Sequence, residues 1–237
     1  MSSNPNKAHL YFLKAQIYGY QQDAQGAEAA LRKTLELDPN YLAAYSALGA
    51  LFINSDQKDR AIAEYKRILE RRPDNAAAYT VIGMLEDSRQ NFDTAADNYR
   101  KALERDQNAV IAANNLAWMY AVHGKGNLDE AQRLAQGVVQ RNPNVAGFMD
   151  TLGWVYYKKG LHSAAVEQLQ KAVKLDEAAA KASHVSPSAT YRFHLAMALN
   201  ASGDKQGARR ELEAALKLGE NSRFPDADEA RKVLTRL

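Results

Sequence analysis

Apolar and small side chains fall along this chain in clusters of helical period, and the clusters recur every 34 residues. Tyr45, Leu48, Gly49 and Phe52 mark one face of a helix at i, i+3, i+4 and i+7, and Ala61, Tyr65 and Ile68 mark a second helix. One period later Tyr79, Ile82 and Gly83 return, followed by Ala95, Tyr99 and Ala102. Pro5, Pro39 and Pro73 keep the same phase. Each ends a second helix, because its ring cannot continue the hydrogen-bond ladder. The pattern predicts one unit used repeatedly: helices A and B, antiparallel and joined by a tight turn. Such a pair cannot bury its own apolar face, so neighbours must stack.

Four further copies share the phase. The first holds Tyr11, Tyr18, Ala27, Leu31 and Pro39, with Lys14 and Ala15 where Leu-Gly stands elsewhere. The fourth holds Leu116, Ala117, Tyr120, Ala131 and Pro143, with two extra residues in its turn near Gly124–Asn127. The fifth holds Leu152, Gly153, Tyr156, Ala165, Leu169 and Ala172; the sixth holds Leu195, Ala196, Leu199, Ala208, Leu212 and Ala215. The third departs at Glu86 and Gln107, where an aromatic and a proline are expected. The predicted repeats are 8–41, 42–75, 76–109, 110–145, 146–179 and 189–222. An insertion at 180–188 separates the last two. Its leading Glu177-Ala-Ala-Ala-Lys181 is expected to prolong the fifth B helix with an i,i+4 ion pair, and His184–Ser188 to form the loop. Asn127 with Glu130 reads as a capping box. Residues 223–237, from Phe224-Pro225 on, are predicted to form a capping helix over the last repeat.

The order aromatic, Leu-Gly, Tyr, Ala, aromatic, Pro resembles the tetratricopeptide repeat (TPR) family over residues 5–222. The resemblance implies an all-α solenoid of six antiparallel helix pairs in a right-handed superhelix, plus the terminal helix. It implies a non-catalytic scaffold or adaptor whose A helices line a concave, partner-binding groove. Along each A helix, 3.6-residue periodicity puts one set of places on that side. The candidate protein-binding residues are Asn54, Met84, Asn114, Asn115, Trp118, Asp150, Trp154, Tyr157, Phe193 and Met197. His9, Phe12, Ile53 and His194 occupy neighbouring groove places. Leu116 and Leu152 already serve the core, so the indoles of Trp118 and Trp154 are expected to point into the groove as anchors. The Asn amides offer donors and an acceptor for a peptide backbone. Family members that grip acidic chaperone tails use Lys and Arg on the A helices. Here the corresponding places hold His9, Phe12, Leu13, Ala43, Ser46, Ala47, Ala77, Thr80 and Val81. An apolar peptide or helix therefore suits the groove better than an acidic tail.

Composition narrows the alternatives. With 31 basic and 28 acidic residues the net charge is +3, and no continuous basic stripe suggests nucleic acid. The absence of cysteine excludes thiolate chemistry and disulfides, and no apolar run is long enough for a membrane span. His9, His123, His162, His184 and His194 form no metal-binding frame and read as lone exposed side chains. Gly124-Lys125-Gly126 lacks the length and trailing Ser or Thr of a phosphate loop. No catalytic residue, metal or cofactor is expected.

The ends and the last two repeats suggest a setting. Pro5 stands at the last signature place of a preceding repeat, and Leu10-Tyr-Phe-Leu13 is greasy for an outermost helix. The expectation is a fragment of a longer TPR protein, or an open N-terminal end that self-associates. Asp150-Thr-Leu-Gly-Trp-Val-Tyr-Tyr-Lys-Lys-Gly160 and Tyr191-Arg-Phe-His-Leu-Ala196 resemble bacterial TPR proteins linked to exopolysaccharide production and exosortase-type sorting. That implies a periplasmic or outer-membrane-associated assembly; the alternative is a self-standing cytoplasmic adaptor.

Overall fold

The computed structural model describes residues 5–124, 127–220 and 224–237. They form thirteen α-helices, with no strand among the described residues. By backbone contact the chain divides into two compact units, Met1–Ala112 and Ala113–Leu237.

The first unit contains three helix pairs: α1 (Pro5–Tyr20) with α2 (Ala24–Leu37), α3 (Leu42–Asn54) with α4 (Lys58–Arg71), and α5 (Ala76–Ser88) with α6 (Phe92–Arg105). Tyr45, Leu48 and Phe52 of α3 meet Ile62, Tyr65 and Ile68 of α4 in one core, which Ile82 and Leu85 of α5 extend. The turn inside each pair uses a left-handed residue at the same place: Gln22 (φ 60°), Asp56 (φ 54°) and Gln90 (φ 64°). The strain of that conformation for a residue with a Cβ is local. Side-chain caps start α2, the returning helix of the first pair, and α5, the first helix of the third pair. Asp23 Oδ1 accepts the Gly26 N–H at 2.8 Å, and Asn75 Oδ1 caps α5 through Ala78 N–H at 2.9 Å. Charged side chains tie one pair to the next: Arg60 reaches Glu28 at 2.5 Å, and Arg89 reaches Asp59 at 3.0 Å.

Glu86, the outlier of the third repeat, is buried. Its carboxylate accepts the Asn91 side-chain N–H at 2.8 Å and lies 3.7 Å from Arg89. Local partners therefore replace the packing of the expected aromatic. Glu64 is buried in the same way, held by Arg67 at 2.7 Å and faced by Arg32 at 3.7 Å.

The second unit takes in α7 (Val110–His123) from Ala113 on, α8 (Leu128–Arg141), α9 (Ala146–Lys158), α10 (His162–Ser183), α11 (Ala189–Ser202), α12 (Lys205–Gly219) and α13 (Ala227–Leu234). Glycines fill the left-handed turn places at Gly124, Gly160 and Gly203. Part of the expected turn insertion, Lys125 and Gly126, lies outside the described residues. Asn127 Oδ1 accepts the Asp129 N–H at 2.7 Å, whereas Glu130 faces Arg133 at 3.9 Å. The N-cap is present, and the Glu130 carboxylate is engaged on its own helix.

The 22-residue α10 carries the insertion as a helical prolongation, ending at His184 with φ 55°. The expected Glu177–Lys181 pair is replaced by one across helices. Arg192 of α11 contacts Glu177 and, at 2.6 Å, Glu211 of α12. Asp176 accepts the Ser188 N–H at 2.6 Å, which fixes the loop entering α11. On the far side, Phe224, Ala230 and Val233 pack with Phe193, Ala196, Leu212 and Ala215, so α13 closes the apolar face of α11 and α12.

Close approach within the second, third and fifth pairs rests on glycine. A Cβ at Gly83 would lie 2.6 Å from Cε1 of Tyr99, a fully buried ring, and one at Gly153 would lie 2.5 Å from Leu169 Cγ. Gly83→Val is therefore expected to destabilise the fold by about 1–3 kcal/mol, the usual cost of overpacking. The check is a lowered midpoint in urea unfolding followed by helical circular dichroism.

Candidate functional site

The A helices of the second unit bring their groove places together. His194 of α11 and Asp150 of α9 are both buried, and the Asp150 oxygens lie 2.8 and 3.0 Å from His194 Nδ1. A carboxylate only accepts, so Nδ1–H donates. The imidazole stacks on Trp154 at 4.2 Å between centroids and lies 5.5 Å from Trp118 of α7. Trp154 in turn stacks on Tyr157 at 4.7 Å, lies 6.5 Å from Trp118 and carries Lys158 Nζ 5.2 Å from its ring. One buried charge-assisted hydrogen bond thus holds an aromatic layer across three helices.

This placement corrects two expectations. His194 is not a lone surface histidine: adjacent A helices set it against Asp150, 44 residues away. Trp154 is not a projecting anchor either, since His194 and Tyr157 cover it and leave it 9% exposed. Asp150 and Phe193 are likewise buried, the latter edge-on to Phe224 at 6.0 Å. Met197 is half-buried in the same α11–α12–α13 core.

Trp118, Asn114, Asn115 and Tyr157 remain half-buried, with a face still open. Asn114 Nδ2 donates to Asn115 Oδ1 at 3.3 Å, while Asn114 Oδ1 is buried without a hydrogen-bond partner in the protein. In the first unit, Asn54 is exposed at the end of α3, and Met84 is 46% exposed on α5.

The signal for the Asp150–His194 pair was present in the chain. Both residues occupy groove places of neighbouring repeats, but spacing within a single helix could not show it. Tyr191, on the helix that carries His194, is also affected. Burial, reinforced by the negative charges of Asp150 and Asp176, pushes its phenol up to about 12. Among the described residues no group of three or more acidic or histidine side chains is arranged to hold a metal ion. No described helix is long and apolar enough to cross a membrane.

Stacked two-helix units, closely packed within each pair through a small residue on the first helix (glycine in three pairs, alanine in the others) and faced by A-helix side chains, define a helical-repeat protein. The chain belongs to the tetratricopeptide repeat family, whose models match residues 20–85 and then 80–125, 124–180 and 152–227. No curated protein matches it. Among solved structures, PilW, described as a widely conserved type IV pilus biogenesis factor, is similar with a TM-score of 0.70 at 20% identity. That match covers 96% of this chain and 98% of PilW. Pseudomonas aeruginosa PilF gives 0.71 at 17% identity over 96% of this chain and 97% of its own. YrrB, described as a TPR protein with an unusual peptide-binding site, gives 0.65 at 19% identity over 86% and 98%. At these identities the likeness is one of fold.

A raised phenol pKa means that the folded state disfavours the phenolate. Tyr191 therefore supports the fold at pH below the ordinary tyrosine value of about 10, and that contribution is lost as pH rises towards about 12. Tyr191→Phe is expected to flatten this alkaline decline, as measured by urea midpoints between about pH 9 and 11.5.

Proposed function

We propose that this protein is a non-catalytic adaptor that captures an apolar peptide or helix of a partner on the A-helix face of its second unit. The observation that carries the reading is Asn114. Its Oδ1 is buried without a partner in the protein, and Trp118, one helical turn away, is only half-covered. A buried acceptor left unpaired is costly, and a rotation of the half-buried Asn114 side chain towards the open side of the face would let a partner's backbone N–H satisfy it. The same partner would cover the open face of the indole, a low-entropy anchor. Asp150, His194 and Trp154 act from beneath, fixing the three helices so that the face is formed before binding. Tyr157 and Met197 extend this face. Asn54 and Met84 offer separate contacts on the first unit, with residues 1–222 as the repeat array and 223–237 as its cap.

The setting we favour is a bacterial envelope assembly of the exopolysaccharide or secretion type. Supporting it are the Asp150–Gly160 and Tyr191–Ala196 runs and a fold similar to that of PilW, a pilus biogenesis factor.

Affinity capture from the source cells, with the full chain beside Trp118→Ala and Asn114→Leu variants of unchanged helicity, tests the reading. A specific partner is expected to bind the native chain. Its affinity should fall by roughly 2–4 kcal/mol with Trp118→Ala. A partner held equally by all three proteins would refute the assignment.

A further inference from the structure

Between α10, α11 and α12 lies a cavity of about 310 Å³. Val173 of α10 and Leu195 and Leu199 of α11 give it an apolar floor, and all three are buried. Sites for small ligands begin at about this size and combine an apolar lining with a few placed polar groups.

The repeat register accounts for the space. Arg192, Leu199 and Gly207 stand at the fourth, eleventh and nineteenth places of repeat 189–222, as Tyr45, Phe52 and Arg60 do in repeat 42–75. In that earlier repeat the Arg60 guanidinium covers the Phe52 ring, 4.0 Å from its centroid. In the sixth repeat glycine replaces the arginine and leucine replaces the ring, and the volume those side chains would fill is left open.

The charge of the walls has changed as well. Lys174 of α10 and Arg210 of α12 stand where the first and second repeats hold Glu36 and Ala63. Both line the cavity, both are exposed, and neither forms an ion pair among the described residues. The three carboxylates at the cavity are already engaged. Glu177 and Glu211 both pair with Arg192, and Asp204 accepts the Gly207 N–H at 2.8 Å to cap α12. What remains is one unanswered cation from each helix flanking α11, beside an apolar floor. An anionic head attached to an apolar body satisfies both features, because charge-assisted hydrogen bonds hold the head while the body leaves water. We propose that this cavity binds a small organic anion, with its carboxylate or phosphate between Lys174 and Arg210 and its apolar body on Val173, Leu195 and Leu199. The site shares no residue with the face around Trp118 and does not depend on the partner proposed there.

Isothermal titration of the full chain with benzoate and phenyl phosphate tests it, each beside a neutral counterpart, benzamide and benzyl alcohol. At least one anion is expected to bind with a dissociation constant of about 1 mM or below, at least about tenfold tighter than its counterpart. The tighter of the two identifies the head group. Lys174→Gln with Arg210→Gln should weaken that anion by at least about tenfold. Lys66→Gln with Lys101→Gln, on the first unit, should leave its affinity unchanged. All four positions are exposed, and circular dichroism confirms that each variant is folded. No anion binding, equal binding of the neutral probes, or binding that survives the Lys174 and Arg210 substitutions overturns the proposal. An equal loss with Lys66 and Lys101 also overturns it, since attraction to the chain's net charge of +3 would then explain the binding.

Discussion

Two helices can pack side by side over their whole length only if something at the crossing point is small. Here that something is glycine on helix A against a bulky side chain on helix B: Gly49 against Tyr65, Gly83 against Tyr99, Gly153 against Leu169. The missing Cβ lets the ring or isobutyl group sit where a side chain would otherwise stand. This contact fixes the distance and rotation of B relative to A, and the rotation decides which A-helix side chains face the core. The rest follows from the same geometry. The turn must reverse within a few residues, so a left-handed residue recurs at Gln22, Asp56 and Gln90, and glycine takes that place in the second unit.

The second unit converts this geometry into a surface. Where A helices lie next to one another, their inward places touch, and in α9 and α11 those places hold a carboxylate and an imidazole. A buried pair of this kind adds little net stability over well-packed apolar groups, but removing one member is costly. Its physical consequence here is rigidity. The pair fixes Trp154 as a floor, and Trp118, Asn114 and Tyr157 stand above it with part of their surface still open. A preformed face of this kind spares a partner the entropy of ordering it.

Most of the helices were legible in the chain because glycine, tyrosine and proline recur at places where the packing tolerates few other residues. The prolonged α10 was legible too, since the run Glu177–Lys181 has strong helix propensity. Side-chain partnerships were harder to read. Glu177 turned out to face Arg192, Glu86 to be buried on Asn91, and His194 to be buried on Asp150. Each of these depends on which side chains meet across helices or turns, and periodicity along one helix carries no such information. Trp154 shows the same limit: its place on the A-helix face was readable, but its cover by His194 and Tyr157 was not.

The central claim is that partners are captured on the A-helix face of the second unit. Site-specific photocrosslinking in the source cells addresses it directly. A photoreactive phenylalanine would replace Trp118 or Tyr157 in turn, with exposed Glu213 of α12 as the comparison site. The account predicts a discrete crosslinked partner from positions 118 and 157 and none from 213. Crosslinks from 213 with none from 118 or 157 would contradict it and move binding to the B-helix side.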